Sequence, residues 1–393
     1  MIMLPVDEHY ITGTLAGLVR INSINPAFAR AGEPSDESRI ARHVGSLLQE
    51  LGCEVTYHEP LPGRVSVTGR LVGTGGGRSL LIYAHMDTVG VEGMTSDPFE
   101  VSIRDGKLYG RGAYDMKCGL AAALGAVKAL RDGGVRLAGD VVVCGVADEE
   151  TESIGMQDVL TRVRTDGAIV TEPTELQLCI AHKGFCWIEV ETLGRAAHGS
   201  RYEDGVDANM HMGRFLAALG GLEQRLRQSP PHRLVGPPSL HAAVVHGGTG
   251  TSTYAARCRL EIERRTIPGE SPEHAMAQIG ELLASLARQD PAFNGRHRLL
   301  LSREAFEVAR DAPVSKAVLA AATEELGHAP AIVGVAYWMD AALLAAAGIE
   351  TVVIGATGTG AHAAEEWVDL ASTVSVARIL ASSAMRYCGS QVT

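Results

Sequence analysis

Five stretches of this chain run an apolar segment or a tight loop straight into carboxylates or an imidazole. They are LLIYAHMD, with His85 and Asp87; YGRGAYDMK, with Asp115; VVVCGVADEE, closing on Asp148, Glu149 and Glu150; AIVTEPT, with Glu172; and TVVIGATGTGAH, ending in His362. Imidazole nitrogens and carboxylate oxygens together are borderline-to-hard donors, which suit Zn, Co or Mn rather than a metal selected by thiolate. Two divalent ions about 3.5 Å apart need one shared carboxylate and further donors for each ion. His85, Asp115, Glu150, Glu172 and His362 supply five such donors, and Glu149 is then a spare carboxylate free to act as general base.

Each residue alone has a plainer explanation. A lone histidine is usually a surface or hydrogen-bonded one, and Asp115 could cap a helix starting near Met116. Three acids in a row usually mean a solvated turn, and Glu172 before Pro173 could simply mark the end of a strand. These explanations fail jointly, because surface acids have no reason to recur at the ends of consecutive buried strands. In open α/β sheets the functional crevice lies beyond the carboxyl ends of the strands, so these groups are expected to converge.

The elements that must position them read as α/β in the first part of the chain. A helix is expected around 36–51, with strands near 53–58, 65–72, 79–84, 140–146 and 167–171. CGLAAALGAVKAL (118–130) reads as a buried helix stopped by RDGG. From about Ala181 the pattern changes to strand, helix, strand, strand, helix, strand: FCWIEVETLG, VDANMHMGRFLAALGGLEQRL, HAAVVH, AARCRLEIERRT, SPEHAMAQIGELLASLARQ and HRLLLS. That order predicts a ferredoxin-like split βαβ unit with an antiparallel sheet. α/β writing then returns with VSKAVLAAATEEL, the strand ETVVIGA and a C-terminal helix DLASTVSVARILASSAM. The expected organisation is a catalytic domain of residues 1–180 and 308–393, interrupted by an inserted domain of residues 181–307.

With 393 residues the chain is long enough for two domains. Apolar residues at 46% and charged residues at 21% fit a soluble globular protein. A net charge of −11 disfavours nucleic acid and anionic membrane as partners, since both call for basic surface. Seven cysteines without a CxxC pair read as reduced thiols of a cytoplasmic protein, and no segment resembles a signal peptide or a membrane span. The glycines of GTGGGR (73–78) precede a strand instead of linking strand to helix, so they are a poor dinucleotide fingerprint, and the GxSxG elbow of serine hydrolases is missing.

Taken as an ordered set over nearly the whole chain, HMDTV, GRGAYDMKCG, ADEE, TEPT and GAHAAEEWV resemble the motifs of the zinc aminoacylase and carboxypeptidase family. That family includes acetylornithine deacetylase, succinyl-diaminopimelate desuccinylase and glutamate carboxypeptidase. The resemblance implies an α/β zinc-peptidase-like catalytic domain, its mixed central sheet flanked by helices, with an inserted ferredoxin-like α+β lid and dimerisation domain. It also implies two divalent ions, zinc first with cobalt or manganese as alternatives. His85, Glu172 and Asp115 would hold one, and Asp115, Glu150 and His362 the other, with Asp115 bridging and the Asp115–Met116 peptide cis. Asp87 would orient His85, as partners of metal-bound histidines do, and Glu149 would carry the proton from water to the leaving amine.

In the insertion, GRAAHGSRYEDGVDA holds His198, which reads by itself as a polar loop histidine. The resemblance implies instead that it reaches a partner subunit's active site and stabilises the tetrahedral oxyanion, so a homodimer through the insertion is expected. Arg257, Arg264 and Arg265 are candidates for gripping a substrate carboxylate, which arginine does bidentately. Alternation makes Arg264 and Arg265 face opposite ways, and a charge ladder with Glu261 and Glu263 is the competing explanation. Ser252 and Ala255 stand where many members have asparagine and proline, and GATGTGAH lacks a proline after its first glycine. The expected activity is hydrolysis of the amide of a small N-acyl amino acid, with acetylornithine as the most concrete case. A dipeptidase or carboxypeptidase acting on short peptides is the alternative among enzymes, and a non-catalytic ligand- or metal-binding protein the alternative outside them.

Overall fold

The computed structural model describes residues 4–29 and 37–392. Contacts divide the chain into two compact units. The first comprises residues 1–180, 308–333 and 339–393, and the second comprises Ala181–Glu307 together with Gly334–Trp338.

A mixed sheet of the first unit runs in the order Glu54–Leu61, Arg64–Leu71, Val141–Val146, Leu80–His85, Gly167–Val170, Glu350–Val353 and Leu178–His182, the last two residues of which begin the second unit. Its middle four strands are mutually parallel, and its outer pairings are antiparallel. Val141–Val146, Leu80–His85 and Gly167–Val170 are buried along their whole length. Such strands read as continuous apolar runs because helices cover them. Their carboxyl ends lead into Asp148–Glu150, His85–Asp87 and Glu172, and the fourth, Glu350–Val353, leads towards His362. The parallel register therefore brings four of the five motifs to one edge of the sheet.

The fifth motif arrives by another route. Strands Ser102–Arg104, Lys107–Tyr109, Trp367–Asp369 and Gly358–Thr359 form a small antiparallel sheet. The chain leaves it past Tyr109 to reach Asp115, while His362 lies between its other two strands. Asp115 and His362, far apart in sequence, thus sit on loops of one small sheet.

Helix Cys118–Asp132 follows the Asp115 turn, is buried over most of its length and stops at Gly133 and Gly134. It packs against helix Leu370–Cys388, which Asp369 caps through the Ser372 N–H at 2.6 Å. Helix Ser38–Glu50 falls within the expected 36–51, whose first residue lies outside the described ones. The N-terminal helix Glu8–Arg20 has no counterpart in the sequence reading, although Asp7 caps it and Ile11, Leu15, Leu18 and Val19 make one buried stripe.

The second unit has strand order Ser239–Gly247, Arg257–Thr266, Gly184–Leu193, Asn294–Arg303, antiparallel throughout. This is ferredoxin-like ordering. Helices Ala208–Gln228 and Pro272–Gln289, capped by Asp207 and Ser271, share a core with Ile188, Val190, Leu260 and Ile262 from the sheet. Alternation along the strands puts Glu189, Glu191, Arg257, Arg259, Glu261, Arg296 and Arg298 on the opposite face.

One close approach ties helix to site. A Cβ on Gly119, at the start of the Cys118–Asp132 helix, would lie 2.7 Å from the carbonyl oxygen of Thr171, the neighbour of Glu172. Gly119→Ala should therefore cost about 1–3 kcal/mol through overpacking. Urea unfolding reads this as a lowered midpoint, and an unchanged midpoint would show that the helix start is not in fact crowded.

Candidate metal centre

His85 ends its buried strand with Nδ1 held by the backbone carbonyl of Asp87 at 3.0 Å, while the Asp87 carboxylate stands off at 3.6 Å. The expected orientation of His85 by Asp87 thus runs through the main chain. The Asp87 carboxylate is occupied elsewhere: it accepts the N–H of Glu149 at 3.1 Å and that of Glu150 at 3.2 Å. It fixes the acidic turn rather than the imidazole.

On the other side of the ring, His85 Nε2 lies 3.1 Å from Asp115 Oδ1 and 3.6 Å from Glu172 Oε1. The second oxygen of Asp115 faces His362, whose Nε2 is 3.3 Å from Asp115 Oδ2 and 3.0 Å from Glu150 Oε2. Donor atoms of His85, Asp115 and Glu172 form one group, and those of Asp115, Glu150 and His362 another, each within 4.8 Å. Asp115 belongs to both groups and offers one oxygen to each.

The Asp115 loop is shaped by Glu366, a residue within GAHAAEEWV to which the sequence alone attaches no role. The buried carboxylate of Glu366 accepts the N–H groups of Gly112, Tyr114 and Asp115 at 2.9, 2.9 and 3.0 Å. Arg111 bonds Glu366 at 2.7 Å and the carbonyl of Ala363, next to His362, at 2.9 Å. The Asp115 loop is thereby stitched to the His362 loop. The Asp115–Met116 peptide is cis, and His362 has φ 60°, in the left-handed region. Nothing local distinguishes Glu366 from Glu365 beforehand.

Electrostatics set the site apart from an ordinary hydrogen-bonded cluster. Burial, reinforced by the neighbouring carboxylates, holds Glu149 and Glu172 well above the usual carboxylate range, and burial also raises Glu150. Burial works against a charged Asp115 too, but hydrogen bonds from His362 and His85 prevail and hold it low. Hydrogen bonds to Asp115 and Glu150 push His362 up to about 10. For His85, burial disfavours charge, yet the Asp115 hydrogen bond and the charges of Glu172 and Glu149 raise it well above the ordinary imidazole value.

The residues present fit a pair of divalent cations. Three carboxylates, those of Asp115, Glu150 and Glu172, crowd around two imidazoles, the donors are all oxygen and nitrogen, and Glu150 Oε1 is a buried oxygen without a hydrogen-bond partner.

The remaining sequence candidates lie in the second unit. His198 is exposed, with Nδ1 2.8 Å from Ser200 Oγ. Arg264 is buried under helix Pro272–Gln289 and pairs with Glu270 at 2.7 Å. Arg265 pairs with Glu263 at 2.8 Å and lies over the Phe185 ring, and Arg257 pairs with Glu191.

Comparison with known proteins places these observations in a wider set. A family model described as peptidase family M20/M25/M40 matches residues 81–386. An acetylornithine deacetylase from Myxococcus xanthus is 30% identical over 327 residues, 81% of this chain and 82% of that protein. The N-formyl-4-amino-5-aminomethyl-2-methylpyrimidine deformylase of Bacillus subtilis is 29% identical over 381 residues, 89% of each. Among solved structures, the aminopeptidase PepT of Bacillus cereus superposes with a TM-score of 0.80 at 18% identity, covering 97% of this chain and 99% of that one.

The pKa directions carry a sign that can be checked. Acids and histidines raised in the folded state bind more protons there than when unfolded, so their contribution is full below their unfolded values. It is lost as pH rises, through about 10 for His362. Asp115 has the opposite sign, but its loss falls at acid pH, below this window. Metal binding needs these same groups deprotonated, so its stabilisation grows with pH. The difference in Tm between zinc-loaded and metal-free protein should widen steadily from pH 5 to pH 8 in calorimetric scans; a constant or shrinking difference would contradict this reading.

Proposed function

Since this chain belongs to peptidase family M20/M25/M40 and is a metal-dependent hydrolase of amide bonds, we propose that it removes the acyl group from a small N-acyl amino acid, as acetylornithine deacetylase does. The observation that carries the reading is the shared Asp115, with one oxygen in each of two donor groups and Glu149 beside them. When bound, the two ions would supply Lewis acidity towards the amide carbonyl and make a water more acidic. His85, Asp115 and Glu172 would hold one, and Asp115, Glu150 and His362 the other; zinc is the first choice, with cobalt and manganese able to use the same donors.

Glu149 does the proton work. Its carboxylate takes a proton from the attacking water and returns it to the departing amine nitrogen, a task served by a proton affinity that burial lifts well above the usual carboxylate range. Asp87 keeps Glu149 and Glu150 on one turn by accepting both their N–H groups. His198, contributed by the partner of a homodimer formed through the second unit, donates to the oxyanion. Arg257 or Arg265 grips the substrate carboxylate, exchanging a glutamate partner for it. The enzyme works in the cytoplasm with all seven cysteines reduced; each is buried. No helix among the described residues is long and apolar enough to cross a membrane.

Small acyl groups are favoured because the curated relatives named above are a deacetylase and a deformylase. A dipeptidase using the same centre is the second reading, supported by the fold shared with a human carnosine dipeptidase at TM-score 0.70. Zinc-reconstituted protein should hydrolyse N-acetylornithine or another N-acyl amino acid faster than any dipeptide in a matched panel. Glu149→Gln should keep both zinc equivalents and lose about 100- to 10,000-fold in kcat. Preference for dipeptides would move the assignment to the second reading, and near-normal turnover by the variant would remove Glu149 from its role.

A further inference from the structure

The acidic turn is held from behind by a segment with no part in the ligand set. After helix Glu8–Arg20 the chain passes alongside the His85–Thr88 loop. The Asn25 N–H donates to Thr88 O at 2.8 Å, the Thr88 N–H to Ser23 O at 3.0 Å, and Ser23 Oγ to Met86 O at 2.7 Å. Asn25 is fully buried. Its Nδ2 donates to Asp87 Oδ2 at 2.8 Å and to Asp148 Oδ1 at 3.0 Å, with Thr151 Oγ1 at 3.2 Å.

Asp87 and Asp148 are themselves buried carboxylates, 0% and 3% exposed. Two such anions repel strongly at low dielectric. A primary amide is neutral and carries two N–H bonds on one nitrogen, so it can satisfy one oxygen of each at once. What these anions hold is the reacting turn. Asp87 accepts the N–H groups of Glu149 and Glu150. Asp148, itself at φ 71°, accepts Thr151 Oγ1 and the Ile154 N–H and pairs with Arg64. Arg64 is shared with the buried Glu37 at 3.0 Å, so the cationic side of the network is already committed.

We propose that Asn25 is a positioning residue of the metal centre: its amide nitrogen cross-links Asp87 to Asp148 and so sets the turn that presents Glu149 and Glu150. This inference rests on the dinuclear reading given above. The amide oxygen has a second task, accepting the Ala27 N–H at 3.0 Å to cap the Pro26–Phe28 turn, with Arg64 Nη1 farther off at 3.5 Å. The two tasks can be separated by substitution. Asn25→Ser keeps a good capping oxygen but offers only one donor, whereas Asn25→Ala removes both.

Zinc alone is the probe, titrated calorimetrically into metal-free protein, with kcat and KM measured on the amide substrate that the wild type turns over best. The wild type should take up two equivalents. Asn25→Ser should bind zinc about 10- to 100-fold more weakly, and its kcat should fall by the same order while KM stays put, as when a ligand's supporting partner is lost. Asn25→Ala should behave likewise or worse. Wild-type zinc affinity and kcat in Asn25→Ser would overturn the proposal, as would a lowered Tm of the metal-free variant with zinc affinity unchanged. Failure of the wild type to bind two zinc ions would instead sink the dinuclear reading and leave the Asn25 hydrogen bonds as framework only.

Discussion

Everything at this centre depends on holding several carboxylates together in a place that repels them. The chain does so by dividing its acids into two kinds. Asp87, Asp148 and Glu366 have oxygens satisfied by main-chain N–H groups, an amide or an arginine, and they serve as frame. Glu150 keeps a buried oxygen with no protein partner, and Glu172 faces an imidazole rather than main-chain donors. Identical chemical groups therefore do opposite work, and the difference lies in which lone pairs the backbone has already taken.

The parallel strands make this division possible. Because Val141–Val146, Leu80–His85, Gly167–Val170 and Glu350–Val353 run the same way, each delivers its polar exit at the same edge of the sheet, and the buried strand bodies fix those exits rigidly. Turns at the exits can then aim their N–H groups at a neighbour's carboxylate. The geometry of Glu149 and Glu150 is set by the two carboxylate oxygens of Asp87, not by the turn in isolation.

This explains what could be read beforehand. Apolar runs ending in acids are local patterns, so the strand exits, the Cys118–Asp132 helix and the strand–helix order of the second unit were legible. The frame was not. Glu366 differs from Glu365, and Asn25 from Asn22, only through partners many residues away. Arg264 and Arg265 show the same limit. Alternation predicted opposite faces, but only the fold reveals that one is sealed beneath a helix while the other joins a layer in which Glu189 and Glu191 are roofed by Arg257, Arg259, Arg296 and Arg298. Any anion approaching Arg257 or Arg265 must compete with glutamates already in place.

Strand Glu350–Val353 sits between Gly167–Val170 and Leu178–His182, two segments made long before it. During synthesis that gap in the sheet stays vacant while the whole second unit and two further helices emerge from the ribosome. The nascent chain must tolerate exposed strand edges on both flanks throughout this interval, and His362, which follows the closing strand, comes later still. Completion of the donor set thus waits on this late segment, so the centre cannot assemble on the first part of the chain alone.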